Sequence, residues 1–202
     1  MSCILVAYAS THGQTRKIAE LIAAQLRLAG HEVDLADAAV ELPPVEDYDA
    51  VVVGSRVQFG AHARPIVDYI RDNRDELAAI PSYFFSVSMS AVSAAADPEG
   101  YLEKLFTITG WRPRAAIAFA GGLPYRSYNF LLRFVMKRIN RHHGGDAADT
   151  SRDHEYTDWS AVGRFAADIA RDLAPLEADE QRPDIAADNA IRHARRTIAL
   201  PR

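Results

Sequence analysis

The 202-residue chain is short of several features, and each shortage narrows its possible functions. Its single cysteine, Cys3, excludes an intrachain disulfide and a zinc site built from several cysteines. The formal net charge of -4 gives no overall basic field that would favour nucleic acid. No apolar run approaches the roughly 20 residues of a membrane-spanning helix, and no basic segment precedes the first apolar run. We therefore expect a cytoplasmic protein without a nucleic-acid partner, whose only membrane contact is peripheral.

What the chain does contain is an alternation of short apolar runs and helically spaced segments. The apolar fraction of 49% is sufficient for a sizeable core. The patterns predict strands over 3–9, 31–37, 49–54, 83–87 and 115–120, and helices over 14–29, 64–79, 98–109 and 159–173. Strands that alternate with helices in this way predict an α/β fold with a five-stranded, doubly wound parallel sheet.

Two segments fall outside the alternation. An insert, residues 123–158, separates the fifth predicted strand from the last helix. A charged, alanine-rich tail, residues 174–202, ends the chain. We expect one domain over residues 1–173 that carries a helical insert, and a tail that is mobile or serves as an association arm.

The turn after the first strand has the composition of an anion site. Its residues are Ser10, Thr11, His12, Gly13, Gln14 and Thr15. It opens a helix, whose first N–H groups are unpaired and whose dipole is positive at that end. Gln14 stands where a P-loop has lysine, and the turn has one glycine where a dinucleotide fingerprint has three. The turn is therefore either a hydroxyl-rich cradle for a phosphomonoester or a polar helix cap without a ligand.

Two further loops follow the carboxyl ends of neighbouring predicted strands, where open α/β sheets bind ligands. Both are made of small residues with few charges, and Phe59 in the first either stacks on a flat ring or fills the core. A phosphate cradle beside two such loops is the layout expected for flavin mononucleotide (FMN). The candidate cofactor residues in the loops are Ser55, Val57, Gln58, Phe59, Gly60, Ser86, Val87, Ser88, Met89, Ser90 and Ala91, with Gly121 and Gly122 after the fifth strand.

Four stretches, STHGQTRKIA, VVVGSRVQFG, FFSVSMSA and WRP, together resemble the flavodoxin superfamily. The segment GGLPYRSYNFLLRFVMKRINRHHGG, followed by YTDW, is similar to the insert of the bacterial flavodoxin-like, quinone-dependent protoporphyrinogen oxidases. This resemblance covers about residues 3–173. It implies an FMN enzyme of heme biosynthesis that oxidises protoporphyrinogen IX and passes the electrons to a membrane quinone. It also matches the phosphate turn to residues 10–15 and the ring-flanking loops to 55–60 and 86–91.

The insert combines a cationic stripe with a wide apolar surface. Residues 123–145 include no acid, and a helix predicted over 127–141 has Arg133, Lys137 and Arg141 on one stripe. Arg126 lies one heptad before Arg133 and extends that stripe. The candidate substrate residues are Arg126, Arg133 and Lys137. Such a helix packs on the domain, lies at a membrane surface, or walls a substrate pocket. We expect these three cations to contact substrate propionates or lipid headgroups, with peripheral contact at the inner membrane. The wide apolar arc is also compatible with a homo-oligomer.

Other functions remain open at this point. A flavodoxin-like quinone reductase with a different donor fits the same fold. An electron carrier fits less well, because carriers usually present an acidic docking face and the insert is basic. A binding module without flavin is a third alternative. The sequence offers no convincing general acid or base and no metal site, so we predict neither.

Overall fold

The computed structural model describes residues 1–88, 98–123 and 154–174. The strands of its main sheet are β1 (Cys3–Ala9), β2 (Glu32–Asp37), β3 (Ala50–Gln58), β4 (Ala61–His62), β5 (Ser82–Ser88) and β6 (Ala115–Ala120). Five of them run parallel in the order β2-β1-β3-β5-β6, and β4 pairs antiparallel with β3. The helices are α1 (Gln14–Leu28), α2 (Arg64–Asp72), α3 (Arg74–Ala79), α4 (Pro98–Thr109) and α5 (Trp159–Asp172). The predicted α/β class and doubly wound parallel sheet are confirmed.

Helices cover both faces of the sheet because its central strands are apolar on both sides. All seven residues of β1 are buried, as expected for a parallel strand between two helical layers. The helices α1 and α5 cover one face through residues such as Ile18 and Phe165. The helices α2, α3 and α4 cover the other face through residues such as Ile66 and Leu105. Alternate side chains of each strand therefore belong to opposite layers.

Gly54 is a packing residue in the middle of β3. It pairs with Phe85 of β5, and the Phe85 ring occupies the space that a side chain at position 54 would need. A Cβ atom on Gly54 would lie 2.0 Å from Cζ of Phe85. The central β3–β5 pair thus depends on a glycine opposite a large aromatic ring.

Two predicted elements differ from the structure. The strand predicted to end at Gly54 continues to Gln58, so part of the predicted loop is a hairpin formed by β3 and β4. The helix predicted over 64–79 is interrupted at Asn73, whose ψ of 28° is not helical. The Asn73 side chain donates from Nδ2 to the carbonyl oxygen of Tyr69 at 2.9 Å, which satisfies an acceptor at the end of α2.

A second, two-stranded sheet brackets the predicted insert. Its strands β7 (Gly122–Leu123) and β8 (His154–Glu155) pair antiparallel. The insert body between them and the tail from residue 175 onward lie outside the described residues. The division into a domain over 1–173, an insert over 123–158 and a tail over 174–202 therefore stays a prediction.

The edge formed by the carboxyl ends of the strands is where a ligand site is expected. The chain leaves β1 for β2 on one side, and β3 lies on the other side, so β1 and β3 form the switch point of the sheet. The turn after β1 and the hairpin after β3 meet at this point. The fold thereby brings together the first two predicted loops.

Candidate cofactor site at the carboxyl edge of the sheet

The turn between β1 and α1 is shaped by Gly13. Gly13 has a φ of +87°, a left-handed backbone conformation that is strained for any residue with a side chain. Its N–H donates to the hydroxyl oxygen of Ser10 at 3.0 Å, which tightens the turn. Thr15 is buried in the first turn of α1, whereas Thr11 and His12 are exposed.

The start of α1 is left open to an anion. No side chain of the described residues caps it, and its first turn contains no acid. The start of α5 differs, because the Asp158 carboxylate accepts from the N–H groups of Ser160 and Ala161. Those same two hydrogen bonds help to lower the pKa of Asp158. An uncapped helix start with a positive dipole end suits a phosphate group.

Arg56 is a cation beside this turn that the sequence reasoning missed. Ser55 pairs with Ala9 at the end of β1, so Arg56 lies next to Ser10 in register. Because side chains alternate along a strand, Arg56 lies on the same face of the sheet as Val52, which packs against α1. Partial desolvation and then the charge of Arg56 lower the pKa of His12, so the positive charge of Arg56 reaches the turn. The only signal in the sequence was a single arginine two residues after the strand predicted over 49–54.

Thr157 joins the turn to the far side of the site. Its hydroxyl donates to the carbonyl oxygen of Ala120 at 2.7 Å and accepts from Nε2 of Gln14 at 2.8 Å. The N–H of Tyr156 donates to the carbonyl oxygen of Gly121. The segment before α5 therefore lies along the carboxyl edge, between the end of β6 and the start of α1. In the sequence, this segment contributes to the family resemblance, but nothing there predicts its place at the site.

The hydroxyl of Ser55, a predicted site residue, is already used within the protein. It is fully buried, donates to the carbonyl oxygen of Arg56 at 3.1 Å and accepts from the N–H of Ala63 at 3.1 Å. These two bonds brace the base of the hairpin. Val57 and Gln58 continue β3 and pair with the residues of β4.

Phe59 lies at the tip of the hairpin, and it does not fill the core. Its ring is 96% exposed, so the alternative that it plugs the core is wrong. Phe59 and Gly60 form a two-residue turn, and their φ angles of 51° and 75° are both positive, as in a type I′ turn. The loop therefore presents a bare aromatic ring beside the switch point.

Ser86 supplies an unused polar atom at the same edge. It is 1% exposed, and its hydroxyl has no hydrogen-bond partner in the part of the chain that is described. It pairs with Ser55 on one side and Ala118 on the other, in a row of small residues across the sheet. Val87 and Ser88, its predicted companions, are also buried.

The remaining predicted residues divide into two groups. Gly121 follows β6, donates its N–H to the carbonyl oxygen of Ser88 at 3.0 Å and has room for a methyl group, while Gly122 begins β7. The others lie outside the described residues: Met89, Ser90, Ala91, Arg126, Arg133 and Lys137.

Residues 5–150 match the flavodoxin domain family. The chain belongs to that family. The protoporphyrinogen IX dehydrogenase (quinone) of Escherichia coli K12 is 32% identical over 170 residues, which are 82% of this chain and 93% of that protein. The protein of the same name from Leishmania major is 34% identical over 173 residues, which are 82% of this chain and 74% of that one. The resemblance read from the sequence is confirmed, and the chain is grouped with flavodoxin-like oxidoreductases.

The fold comparison agrees with this membership. Oxidised flavodoxin 1 from Bacillus cereus superposes with a TM-score of 0.54 at 15% identity, and the match covers 86% of this chain and 100% of that one. At that identity the likeness concerns the fold alone. The flavodoxin-like part of the fold class is therefore confirmed.

The described residues of the edge fit a ligand with an anionic end and a flat apolar body. The open start of α1 and the nearby Arg56 suit the anion. The unpartnered hydroxyl of Ser86 suits a polar group of the ligand, and the exposed Phe59 suits a planar ring.

Proposed function

We propose that the protein is an FMN-dependent oxidoreductase that oxidises protoporphyrinogen IX to protoporphyrin IX and uses a quinone as electron acceptor. One observation carries the proposal. The start of α1 at the switch point of the sheet has no side-chain cap among the described residues and suits an anion, in a sequence that matches relatives named for this substrate over 82% of its length. The flavodoxin fold alone supports FMN, while the relatives support the donor and the acceptor.

The cofactor is FMN, and we assign its phosphate to the turn of residues 10–15. Backbone N–H groups at the start of α1 donate to the phosphate oxygens, and the helix dipole favours their negative charge. Arg56 supplies a full positive charge that the turn itself lacks. Because the pKa of His12 is lowered, its ring is mainly neutral near pH 7, and the positive charge of Arg56 does not depend on the protonation of His12.

The isoalloxazine ring is assigned to the space between the Phe59 hairpin and the end of β5. When bound, FMN supplies the redox chemistry by accepting hydride equivalents from the donor. The protein orients the ring through Phe59 and offers the Ser86 hydroxyl as a hydrogen-bond partner. We assign no general acid or base.

The substrate side of the proposal depends on the insert. We propose that Arg126, Arg133 and Lys137 contact the propionates of the macrocycle or anionic headgroups of the membrane. In the described ranges, no helix is long and apolar enough to cross a membrane. We infer from the cations of the insert that the protein makes a peripheral contact on the cytoplasmic face, where it meets the lipid-soluble quinone.

A donor comparison tests the proposed function. The FMN-loaded protein is assayed with menaquinone and, in turn, protoporphyrinogen IX, NADH and NADPH, without oxygen. We expect porphyrin formation that depends on both the enzyme and the quinone. Reduction of the quinone by NADH or NADPH alone would support a quinone reductase instead, and a colourless protein that takes up no FMN would remove the flavoenzyme assignment altogether.

A triple variant tests the role of the insert. Replacing Arg126, Arg133 and Lys137 by Gln is expected to weaken binding of the porphyrinogen or of anionic vesicles while FMN stays bound. Loss of FMN from this variant would contradict the assignment of these residues to the substrate side. Unchanged binding of both porphyrinogen and vesicles would also contradict it.

A further inference from the structure

Two hydrogen bonds fasten the Phe59 hairpin to α4. The Nε2 atom of His62 in β4 lies 3.2 Å from the carbonyl oxygen of Tyr101 in α4. Because a carbonyl oxygen only accepts, His62 carries its proton on Nε2 and donates it. Lys104, one turn further along α4, donates from Nζ to the carbonyl oxygen of Gly60 at 3.3 Å. One bond holds the base of the hairpin, and the other holds its tip.

The imidazole of His62 is held by its hydrogen bond to Tyr101 and by its contact with Phe84. Its ring meets the ring of Phe84 edge-on, with centroids 5.3 Å apart and an interplanar angle of 78°. Its Nδ1 atom is buried and has no hydrogen-bond partner among the residues described. Burial lowers the pKa of His62 to about 4, so the ring is neutral near pH 7 and its one N–H is the donor to Tyr101. A neutral ring packed in this way sets a fixed distance between β4 and α4.

The tip itself contributes little to fixing Phe59. The ring of Phe59 is almost fully exposed, so packing within the hairpin does not hold it. The turn has only two residues, Phe59 and Gly60, both with positive φ. The position of Phe59 is therefore set by where the two strands of the hairpin are anchored.

We propose that His62 is a positioning residue for the flavin ring. By donating to Tyr101 it holds the hairpin on α4, and this places Phe59 against the isoalloxazine. Lys104 supports the same placement from the tip. The inference rests on the proposed function, because it requires FMN at the carboxyl edge.

Three single variants separate the hydrogen bond from the ring packing. His62→Phe keeps a flat ring against Phe84 but removes the donor. His62→Gln restores an N–H at similar reach. His31→Phe is the matched control, because His31 is a half-buried histidine just before β2, at the opposite edge of the sheet.

The readouts do not depend on turnover. The first is amide hydrogen exchange of the hairpin in the apoprotein, and the second is the visible circular dichroism and midpoint potential of bound FMN. We expect His62→Phe to speed exchange at residues 58–62 about fivefold, as the loss of one hydrogen bond would, and to change the dichroism and potential. His62→Gln is expected to recover wild-type values, and His31→Phe to match the wild type.

A double-mutant comparison tests whether His62 acts through Phe59. If it does, adding His62→Phe to Phe59→Ala changes the flavin signals no further than Phe59→Ala alone. Additive changes would overturn the inference, and so would flavin signals that His62→Phe leaves untouched. If His62→Phe folds poorly, Lys104→Met removes the other bond from an exposed position. It is expected to shift the signals in the same direction by less, and unchanged signals there would also overturn the inference.

The failure of this inference differs from the failure of the proposed function. A wild-type protein that binds no FMN would remove both. If the wild-type protein binds FMN and oxidises the porphyrinogen, but His62→Phe leaves the flavin signals unchanged, only the positioning role of His62 is contradicted.

Discussion

Phe59 combines a strained backbone with an exposed ring. A residue with a side chain loses roughly 1–2 kcal/mol in the left-handed region that its φ of 51° occupies. Type I′ turns favour Asn-Gly, whereas this turn is Phe-Gly. The ring gains almost no burial within the described fold, since it is 96% exposed. Local conflicts of this kind are expected where a side chain serves a ligand.

Phe59→Asn is therefore expected to stabilise the apoprotein. Asparagine tolerates positive φ and no buried contact is lost, so we expect the free energy of unfolding to rise by about 1 kcal/mol. Urea unfolding of the apoprotein measures this change. The same variant should bind FMN more weakly, because it lacks the ring. A less stable apoprotein, or unchanged FMN affinity, would contradict the role given to Phe59.

His62 gives the fold a dependence on pH. Burial lowers its pKa to about 4 in the folded state, below the ordinary value of 6.5, and the nearby charge of Lys104 adds to this. The unfolded chain then binds the proton more readily, so stability falls as the pH drops from 6.5 toward 4. Between pH 7 and pH 5 this one group is expected to remove about 2 kcal/mol. Urea unfolding of wild type and His62→Phe at both pH values measures it, and an equal loss in the two proteins would count against this.

Among the elements, α1 is the helix that we propose to hold the anion. Its start has no side-chain cap, no acid in the first turn and Arg56 nearby. We expect FMN to bind far more tightly than riboflavin, which lacks the phosphate. Arg56→Gln should weaken FMN binding roughly tenfold and leave riboflavin binding unchanged, because only the phosphate meets the arginine.

Titration of the apoprotein by flavin fluorescence measures both affinities. Arg171→Gln is a matched control, since Arg171 is an exposed arginine in the last turn of α5, paired with Asp168. If Arg56→Gln weakened the binding of FMN and of riboflavin equally, the assignment of Arg56 to the phosphate would be wrong.

The β3–β5 pair depends on Gly54. A methyl group there would meet the Phe85 ring at 2.0 Å, and both residues are buried. Gly54→Ala is expected to cost about 3 kcal/mol of unfolding free energy. Phe85→Leu, added to Gly54→Ala, should recover part of the loss, and chemical unfolding of the wild type and the two variants measures both changes. A neutral Gly54→Ala would contradict this account of the packing.

The elements also show what sequence reasoning can reach. The strands β1, β3, β5 and β6 were predictable because each contains a short apolar run between turn residues, and β2 was predictable because its apolar and polar residues alternate. The hairpin was not, since its turn lacks the Asn-Gly signal and Ser55 to Gln58 lack an apolar run. The break at Asn73 has no proline or glycine to announce it. The turn after β1 could be proposed as an anion site from its hydroxyl residues, but Arg56 and Thr157 reach it through pairings that are distant in sequence.

In the whole molecule, the candidate cofactor site is formed by segments that are distant in the sequence. The turn after β1, the hairpin after β3, the end of β5 and the segment before α5 meet at one edge of the sheet. The hydrogen bond from Gln14 to Thr157 joins the first helix to the segment directly before α5. We propose that the insert over 123–158 supplies the substrate-binding residues of this site, within a domain that spans residues 1–173.

A single turnover without oxygen is the most direct test of protoporphyrinogen IX as the electron donor. FMN-loaded protein is mixed with protoporphyrinogen IX, and flavin absorbance and porphyrin fluorescence are followed together. The account predicts that the flavin bleaches as porphyrin appears, and that added menaquinone restores the flavin colour. A yellow protein that does not bleach would keep the flavodoxin fold and contradict protoporphyrinogen IX as the donor.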